Sequence, residues 1–365
     1  MSKKAIVLFN LGGPSSMEEV KPFLFNLFYD KAIIGLINPF RYLLAKYLSW
    51  KREEKSKKIY AQIDNKSPIL EQTISQAKVI EDKINKISLD SEYKAFVSMR
   101  YSKPDSNEVI NEILKGGYGE VILLPLYPQF STTTTESSIN EFVKKIPKFY
   151  TGKIKAICCY PQSESFIKAH VELIKNVLKK TKNKKVRILF SAHSLPQKII
   201  EKGDPYQWQI ESSCQKIMSD EKLAEIEYVV CYQSKVGSLK WLEPSTESEI
   251  IRAAQEKRAI VIVPISFVSE HSETLVELDI DYLNLAKENE LEDFYRVPAL
   301  GIKEVFIDGL VEMVEAISNK ESVDRFKIYP GKEGQICPAS FCRCILKAKT
   351  KTICPAVGEQ GCKLL

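Results

Sequence analysis

The stretch that decides the fold is Val186-Arg187-Ile188-Leu189-Phe190-Ser191-Ala192-His193-Ser194-Leu195-Pro196. Its first part is a short apolar, β-branched run, which is typical of a strand buried in a parallel sheet. Small residues and a histidine follow this run directly. Because ligands of open parallel sheets bind beyond the carboxyl ends of the strands, the stretch predicts an α/β fold with His193 at a binding edge.

Further runs of the same kind occur along the whole chain. They are Ala5–Phe9, Tyr93–Met99, Val121–Leu126, Ile154–Cys158, Tyr228–Tyr232, Ala259–Ile265 and Phe294–Val297. Helical patterns with charged faces, such as Glu71–Ile87 and Ser165–Lys180, lie between most of them. Strands that alternate with helices predict parallel sheets covered by helices on both faces.

The polar stretch at residues 181–185 divides these runs into two sets of four. We therefore predict two Rossmann-like domains, each a four-stranded parallel sheet flanked by helices, with a shared cleft. Residues 1–160 would form the N-terminal half and residues 161–318 the C-terminal half. Residues 319–365 would form a C-terminal extension with a cysteine-rich tail. A chain of 365 residues suits this division.

The composition excludes several classes of protein. Hydrophobic residues make up 44% and charged residues 27%, and the net charge of +6 is too small to indicate a nucleic-acid partner. The start of the chain lacks the apolar core of a signal peptide. The longest uncharged part of the most apolar region is Ala32–Phe40, whereas a membrane span needs roughly 20 apolar residues. We expect a cytoplasmic protein that is at most peripheral to the inner face of a membrane.

The chain has three histidines: His170, His193 and His271. His170 lies in a predicted amphipathic helix and is interpreted as structural. His193 and His271 each follow a buried strand. A single histidine at a strand end is more often structural than functional, but two on matching edges of one half favour a functional site.

Three carboxylates follow His271 at intervals of two, four and four residues: Glu273, Glu277 and Asp281. The four-residue spacing predicts one face of a helix, and like charges there destabilise it. A solvated face is the commoner meaning of such a run. However, no lysine or arginine offsets these charges between Ala259 and Lys287. The run therefore also fits a path for a divalent cation.

Five motifs, in order along the chain, resemble those of ferrochelatases. They are Gly12-Gly13-Pro14, Met99-Arg100-Tyr101, Tyr127-Pro128-Gln129-Phe130-Ser131, Ser191–Pro196 with Gly203-Asp204-Pro205-Tyr206, and His271–Asp279. The similarity spans about Ala5 to Pro298. It implies a chelatase-like fold and a lyase that inserts Fe²⁺ into protoporphyrin IX. The products would be protohaem and two protons, in the terminal step of haem biosynthesis.

The resemblance also implies roles for individual residues. His193 and Glu273 would be the catalytic pair, facing each other across the porphyrin. His271, Glu277 and Asp281 would form an acidic metal path with Glu273. His193 would act as the base, as a metal ligand, or as each in turn, since a neutral imidazole can accept a pyrrole proton near neutral pH.

A further set of residues matches porphyrin-binding positions. Leu11-Gly12-Gly13-Pro14 lacks the lysine and third glycine of nucleotide loops, and predicts close approach of the backbone at Leu11 to a flat ligand. By resemblance, Arg52, Tyr60 and Ser67 lie near the propionates. Arg100 and Tyr101 lie at a lip and entry position.

The apolar segment Phe23–Trp50 contains scattered basic residues. One interpretation is a pair of ordinary core helices. The other, implied by the resemblance, is a mobile hydrophobic lip that covers the porphyrin and touches the membrane. Basic residues among aromatic ones suit an interfacial element.

The chain has nine cysteines, and five of them, from Cys337 onward, lie near the C-terminus. Some ferrochelatases carry a [2Fe–2S] cluster, which needs four ligands, usually thiolates. The animal pattern is absent, because Thr132 stands at a ligand position. A bacterial pattern has an internal cysteine near the end of the fourth strand and a terminal Cys-x6-Cys-x-Cys. Here the candidates are Cys158 or Cys159, with Cys337, Cys342 and Cys344.

The tail reads Cys337-x4-Cys342-x-Cys344, so its first gap is shorter than in that bacterial pattern. The alternative is that the tail carries free reduced thiols, and we interpret Cys354 and Cys362 as such thiols.

Two other functions stay open at this point. A related chelatase would load cobalt or nickel into another tetrapyrrole, and a two-lobed carrier would bind a tetrapyrrole without reacting. The apolar lip favours a hydrophobic porphyrin, and an acidic path would be superfluous in a carrier. The choice between protoporphyrin and coproporphyrin, the iron donor, and a monomer or homodimer also stay open.

Overall fold

The computed structural model of the chain describes residues 1–182, 184–237, 239–331, 337–338 and 341–346. Its strands form two separate sheets, and every pairing within them is parallel. The first sheet contains β1 (Ser2–Asn10), β2 (Ser91–Met99), β3 (Glu120–Pro125), β4 (Lys153–Ile157) and β9 (Phe326–Tyr329), in the order β2-β1-β3-β4-β9. The second contains β5 (Val186–His193), β6 (Glu227–Gln233), β7 (Ala259–Pro264) and β8 (Phe294–Arg296), in the order β6-β5-β7-β8.

All eight predicted strands are present, and the α/β class with two parallel sheets is confirmed. The prediction of four strands is correct for the second sheet but one strand short for the first. The additional strand is β9, which pairs with β4 from Ile154↔Phe326 to Ile157↔Tyr329. This strand has only four residues, one of them a lysine, so it lacks the continuous apolar run of a central strand.

The helices lie between the strands in sequence. They are α1 (Val20–Tyr29), α2 (Phe40–Tyr60), α3 (Ile69–Ile87), α4 (Ser106–Gly116), α5 (Thr135–Lys145), α6 (Glu164–Leu178), α7 (Gln197–Glu201), α8 (Tyr206–Met218), α9 (Thr246–Gln255), α10 (Tyr282–Glu288) and α11 (Glu304–Ser318). A 3₁₀ turn (Met17–Glu19) precedes α1. Residues Glu273–Asp281 form a π-helix, which is rare and is frequently found at functional sites.

The chain forms two compact units. The first contains residues 1–127, 131–158 and, among the described residues, 310–331. The second contains residues 128–130, 159–309 and the described residues from 337 onward. Each unit is built around one sheet. Helix α11 belongs to both units, because residues 304–309 are part of the second and residues 310–318 are part of the first.

The centre of each sheet is fully buried. Ile6, Val7 and Leu8 of β1 have no exposed surface, and neither do Ile188 and Leu189 of β5. Because helices cover both faces, these strands are continuous apolar runs with no alternation of polar residues. None of the described helices is both long enough and apolar enough to cross a membrane.

Candidate active site

Three neighbouring strands of the second unit end at the same edge of their sheet. His193 is the last residue of β5, and it pairs with Gln233, the last residue of β6. The loop after β7 leads into the π-helix, which begins at Glu273. The parallel register therefore brings the histidine, the end of β6 and the first carboxylate together.

His193 and Glu273 form a direct pair. Nδ1 of His193 is 2.8 Å from Oε2 of Glu273, and the two side chains are 38% and 24% exposed. This distance leaves no room for a macrocycle between them. In this structure the two groups are joined by a hydrogen bond, so they do not face each other across a gap that could hold a porphyrin.

The pairing moves the two pKa values apart. Burial lowers the pKa of His193, but the charge and hydrogen bond of Glu273 outweigh burial and raise it above the ordinary value of 6.5. Burial likewise raises the pKa of Glu273, but the charge and hydrogen bond of His193 outweigh it and bring the pKa to about 2. Glu273 therefore stays ionised, and His193 is a stronger base than a free imidazole.

The backbone of His193 is held from both sides. The Tyr206 hydroxyl donates to the carbonyl oxygen of His193 at 2.9 Å, and the N–H of His193 donates to Oγ of Ser266 at 3.2 Å. Asp204 is fully buried and accepts from the N–H of Tyr206 at 3.0 Å. The motif Gly203–Tyr206 therefore serves to place the histidine.

His271 lies beside the same carboxylate. Its Nε2 is 4.0 Å from Oε2 of Glu273, and its ring centroid is 4.5 Å from that of Phe267. Burial lowers the pKa of His271, so the ring is neutral at neutral pH. Its buried Nδ1 has no hydrogen-bond partner among the described residues. A neutral imidazole of this kind can bind a metal ion.

Glu277 lies one turn further along the π-helix and is surrounded by donors. It accepts from Nε2 of Gln233 at 3.0 Å, the N–H of Ser234 at 2.8 Å and the hydroxyl of Tyr282 at 3.0 Å. The Ser234 hydroxyl also donates to it. Burial and the charge of Glu273 raise the pKa of Glu277 above 4.5.

Asp281 is exposed at the end of the π-helix. The side chain of Asp279, in contrast, is tied to Arg296 at 2.5 Å, and Arg296 also bonds Glu270 at 2.8 Å. Within the described residues, no group of three or more His, Cys, Asp and Glu side chains has the arrangement of a metal site.

The sequence interpretation missed Gln233, Ser234 and Tyr282. The position of Gln233 and Ser234 in the sequence could have identified them. This polar pair stands at the end of the apolar run of β6, and β6 ends at the same edge of the sheet as β5 and β7. Tyr282 carried no such signal, since only the π-helical register brings it to Glu277.

The first unit brings together the predicted porphyrin-binding residues Leu11, Tyr60 and Tyr101. All three belong to one apolar cluster with residues of α1 and α2. Tyr101 is only 1% exposed, and its hydroxyl donates to Oδ2 of Asp30 at 2.8 Å. Arg100 forms an ion pair with the same oxygen at 2.7 Å. These two residues therefore anchor the end of α1.

Arg52 and Ser67 complete this set. The Arg52 guanidinium lies 5.7 Å from the ring centroid of Phe28. The N–H of Ser67 donates to the carbonyl of Pro14, and a Cβ at Gly13 would lie 2.5 Å from the Ser67 side chain. Gly12 has φ +89°, and a Cβ there would lie 2.4 Å from Oγ of Ser102. Contacts within the protein thus require both glycines.

The apolar segment Phe23–Trp50 is divided between the core and the surface. Phe23, Leu24 and Phe28 of α1 are buried in the core. One face of α2 is exposed instead, with the following exposed fractions: Phe40 60%, Leu43 59%, Tyr47 50% and Trp50 63%. We call these four residues the α2 stripe.

The described cysteines form no disulfide bonds with one another. The buried Gln209 donates its amide to Sγ of Cys337 at 3.2 Å and to Sγ of Cys159 at 3.5 Å. Cys158 belongs to the first unit, where its N–H donates to Tyr329.

Cys342 lies 3.6 Å from the carbonyl of Lys202, and Cys344 is buried. Cys354 and Cys362 lie outside the described residues.

A family model described as Ferrochelatase matches residues 3–317. Ferrochelatase of Rickettsia felis is 49% identical over 343 residues, which cover 94% of this chain and 98% of that protein. Ferrochelatase of Pelagibacter ubique is 47% identical over 344 residues, with the same two coverages. Among solved structures, SirB from Bacillus subtilis with Fe³⁺ has a TM-score of 0.53 at 10% identity and covers 87% of this chain and 96% of its own. The sirohydrochlorin chelatase SirB in complex with cobalt, from Bacillus subtilis subspecies spizizenii, has a TM-score of 0.51 at 9% identity. The match covers 87% of this chain and 97% of that protein. At these identities the structural likeness shows the fold.

Proposed function

The chain belongs to the ferrochelatase family, and from this premise we propose how its own residues carry out iron insertion. The enzyme is a lyase that inserts Fe²⁺ into protoporphyrin to form protohaem. The observation that carries the proposal for the site is the His193–Glu273 pair at the edge of the second sheet. Family membership favours this reaction over a cobalt or nickel chelatase and over a carrier.

Iron can replace the two pyrrole protons only if a base removes them. The hydrogen bond to Glu273 uses Nδ1 of His193, and no described residue donates to or accepts from Nε2. Nε2 can therefore accept a pyrrole proton. The carboxylate of Glu273 stabilises the imidazolium that forms, because it stays ionised down to about pH 2.

The metal side of the reaction is proposed for the carboxylates of the π-helix. Fe²⁺ is the substrate, and oxygen and imidazole ligands suit it. Asp281 is exposed at the end of the helix, and Glu277 and Glu273 lie inward along it. We propose that the ion passes along these three groups, with His271 supplying a neutral nitrogen beside Glu273.

A direct assay tests the catalytic pair. The purified chain is mixed with protoporphyrin and Fe²⁺, and the absorbance change is followed. His193→Ala and Glu273→Ala should lose nearly all turnover. Glu172→Gln is the matched control, since this carboxylate also forms an ion pair in the second unit but lies on α6. Wild-type turnover in both site variants would remove the assignment.

The porphyrin-binding role is proposed for Leu11, Arg52, Tyr60, Ser67 and Arg100. Arg52 is suited to a propionate, because it contacts the aromatic ring of Phe28 and forms no ion pair with a carboxylate among the described residues. Tyr60, Ser67 and Tyr101 are buried, so they would support the more accessible Leu11, Arg52 and Arg100 from the core. Arg52→Ala should raise KM for the porphyrin, whereas the exposed Lys58→Ala on the same helix should not.

We also propose that the α2 stripe makes peripheral contact with a membrane at the cytoplasmic face. Its spacing of three and four residues puts the apolar side chains on one face of the helix, and Lys46 and Lys51 flank them. A helix with exposed aromatic residues and lysines is suited to the interface of an anionic bilayer.

A [2Fe–2S] cluster is proposed on Cys159, Cys337, Cys342 and Cys344. Cys159 and Cys337 fit two ligand positions, because their sulfurs lie beside the same amide. Cys342 and Cys344 would have to join them, since no three such side chains among the described residues already form a metal site. This choice replaces Cys158 as the internal ligand.

Anaerobic purification with iron and acid-labile sulfide analysis tests the cluster. Cys159→Ser should lose both, whereas its neighbour Cys158→Ser should keep them. A colourless wild-type preparation without sulfide would remove the proposal.

A further inference from the structure

Ser234 follows β6 and bonds to both glutamates. Its backbone has φ +63°, which is unusual for a residue with a side chain. In this conformation its N–H donates to Oε1 of Glu277 at 2.8 Å, and its hydroxyl donates to the other oxygen. Oε2 of Glu273 lies 3.5 Å from the same hydroxyl. One residue thus contacts two carboxylates that repel each other.

Gln233, the last residue of β6, is bonded to the same two glutamates, Glu273 and Glu277. Its side chain is fully buried. Its amide nitrogen donates to the backbone carbonyl of Glu273 at 3.1 Å and to Oε2 of Glu277 at 3.0 Å.

The orientation of this amide is fixed by the opposite atom. Oε1 of Gln233 accepts from the hydroxyl of Ser191 at 2.7 Å, so the NH₂ group must point toward the π-helix. Ser191 itself lies 2.8 Å from Oγ1 of Thr246. The serine of the motif that precedes His193 therefore serves to orient Gln233.

The contacts of Gln233 and Ser234 also affect the pairing of His193 with Glu273. The carboxylates of Glu273 and Glu277 share one hydroxyl, and two like charges at this distance push each other apart. Donors to Glu277 can hold it in place while Glu273 stays on the imidazole, and Tyr282 supplies one of them. Gln233 and Ser234 supply the others, and unlike Tyr282 they also contact Glu273.

We propose that Gln233 and Ser234 are positioning residues for iron insertion, which hold Glu273 and Glu277 in the orientation that pairs Glu273 with His193. This inference rests on the proposed catalytic roles of His193 and Glu273. It assigns neither residue a contact with the porphyrin. Loss of such a supporting partner should lower kcat by about tenfold to hundredfold and leave KM for the porphyrin unchanged.

The test separates positioning from a structural role. Glycine adopts a positive φ without strain, so Ser234→Gly should keep or raise the melting temperature. A structural role for Ser234 predicts full activity for this variant, whereas positioning predicts the loss of kcat. Gln233→Glu is the second variant, because it keeps the shape but replaces the two N–H donors by a carboxylate that repels Glu273 and Glu277. Ser213→Ala is the control for a buried hydroxyl in the same unit.

Steady-state kcat and both KM values are measured for the full chain, beside Glu273→Gln. The expected result is an inactive Glu273→Gln, reduced kcat in Ser234→Gly and Gln233→Glu, and an unchanged Ser213→Ala. If Ser234→Gly and Gln233→Glu keep the wild-type kcat while Glu273→Gln is inactive, the positioning role is overturned and the proposed catalytic pair is not. A change confined to KM for the porphyrin would overturn it as well. Full activity of Glu273→Gln would instead overturn the proposed site on which the inference rests.

Discussion

At the scale of single residues, the site depends on how His193 is restrained. Its carbonyl accepts from Tyr206, its N–H donates to Ser266 and its Nδ1 is bonded to Glu273. The ring can then only present Nε2 to a substrate. The pKa values of His193 and Glu273 move in opposite directions, which is consistent with the acid–base role proposed for them.

The first prediction concerns the pKa of His193. In Glu273→Gln, the charge that raises this pKa is removed and burial remains, so the pKa should fall below 6.5. The ring protons of the histidines can be followed by NMR through a pH titration. His170 provides an internal reference, because burial lowers its pKa to about 4 in either protein. An unchanged His193 titration would contradict the pairing.

The second prediction concerns stability against pH. His193 has a raised pKa, so its stabilising effect is complete below 6.5 and is lost as the pH rises through its folded pKa. Glu273 has a lowered pKa, so its effect is complete above 4.5 and is lost toward about 2. The pair therefore stabilises the fold most between these ordinary values.

Urea unfolding of the wild type and Glu273→Gln checks this expectation. At about pH 5.5 the wild type should be more stable than Glu273→Gln by about 1 kcal/mol. The difference is small because solvent screens this partly exposed pair. The advantage should shrink as the pH rises through the raised pKa of His193. An advantage that grows with pH would contradict the sign.

At the scale of elements, eight of the nine described strands followed from the sequence, and the π-helix did not. Every strand that is covered on both faces appears as a continuous apolar run, because helices cover both sides. The spacing of Glu273, Glu277 and Asp281 predicted one α-helical face. The π-helix has i→i+5 bonding, which brings Tyr282 to Glu277 and leaves Asp281 exposed. A hydrophobic pattern carries no information about this change of register.

The third prediction concerns α2. Because the α2 stripe is exposed while the opposite face packs on the core, removing one of its large apolar side chains should weaken membrane binding without unfolding the chain. Trp50→Ser should reduce cosedimentation with anionic phospholipid vesicles several-fold. Leu89→Ser is the control, since Leu89 is 84% exposed but lies outside the stripe. Equal binding of both variants and the wild type would exclude the stripe as the contact.

At the scale of the whole molecule, the chain returns to the first sheet after completing the second. Eight strands alternate with helices in two sets, and this order was readable from the sequence. The return was not, because β9 is short and its pairing with β4 joins residues far apart in the chain. Lys155 of β4 is also buried, and it bonds Glu120 at 2.7 Å and the carbonyl of Ser318 at 2.8 Å. The first unit is thus completed by residues from near the end of the chain.

The last prediction tests this closure. Ile328 of β9 is 7% exposed, so Ile328→Ala should remove packing at the edge of the first sheet. An Ile→Ala change in a core costs at least about 2 kcal/mol. Val323 precedes the strand and is fully exposed, so Val323→Ala should have almost no effect. Thermal unfolding measures the difference between the two variants.

Hydrogen exchange locates the effect of Ile328→Ala. The amides of Ile154 and Cys158 donate to Arg325 and Tyr329, so they should exchange faster in this variant than in the wild type. Amides of β5 and β7, which belong to the other sheet, should keep their protection relative to β4. Uniform acceleration in both sheets would instead mean that β9 stabilises the molecule as one cooperative unit.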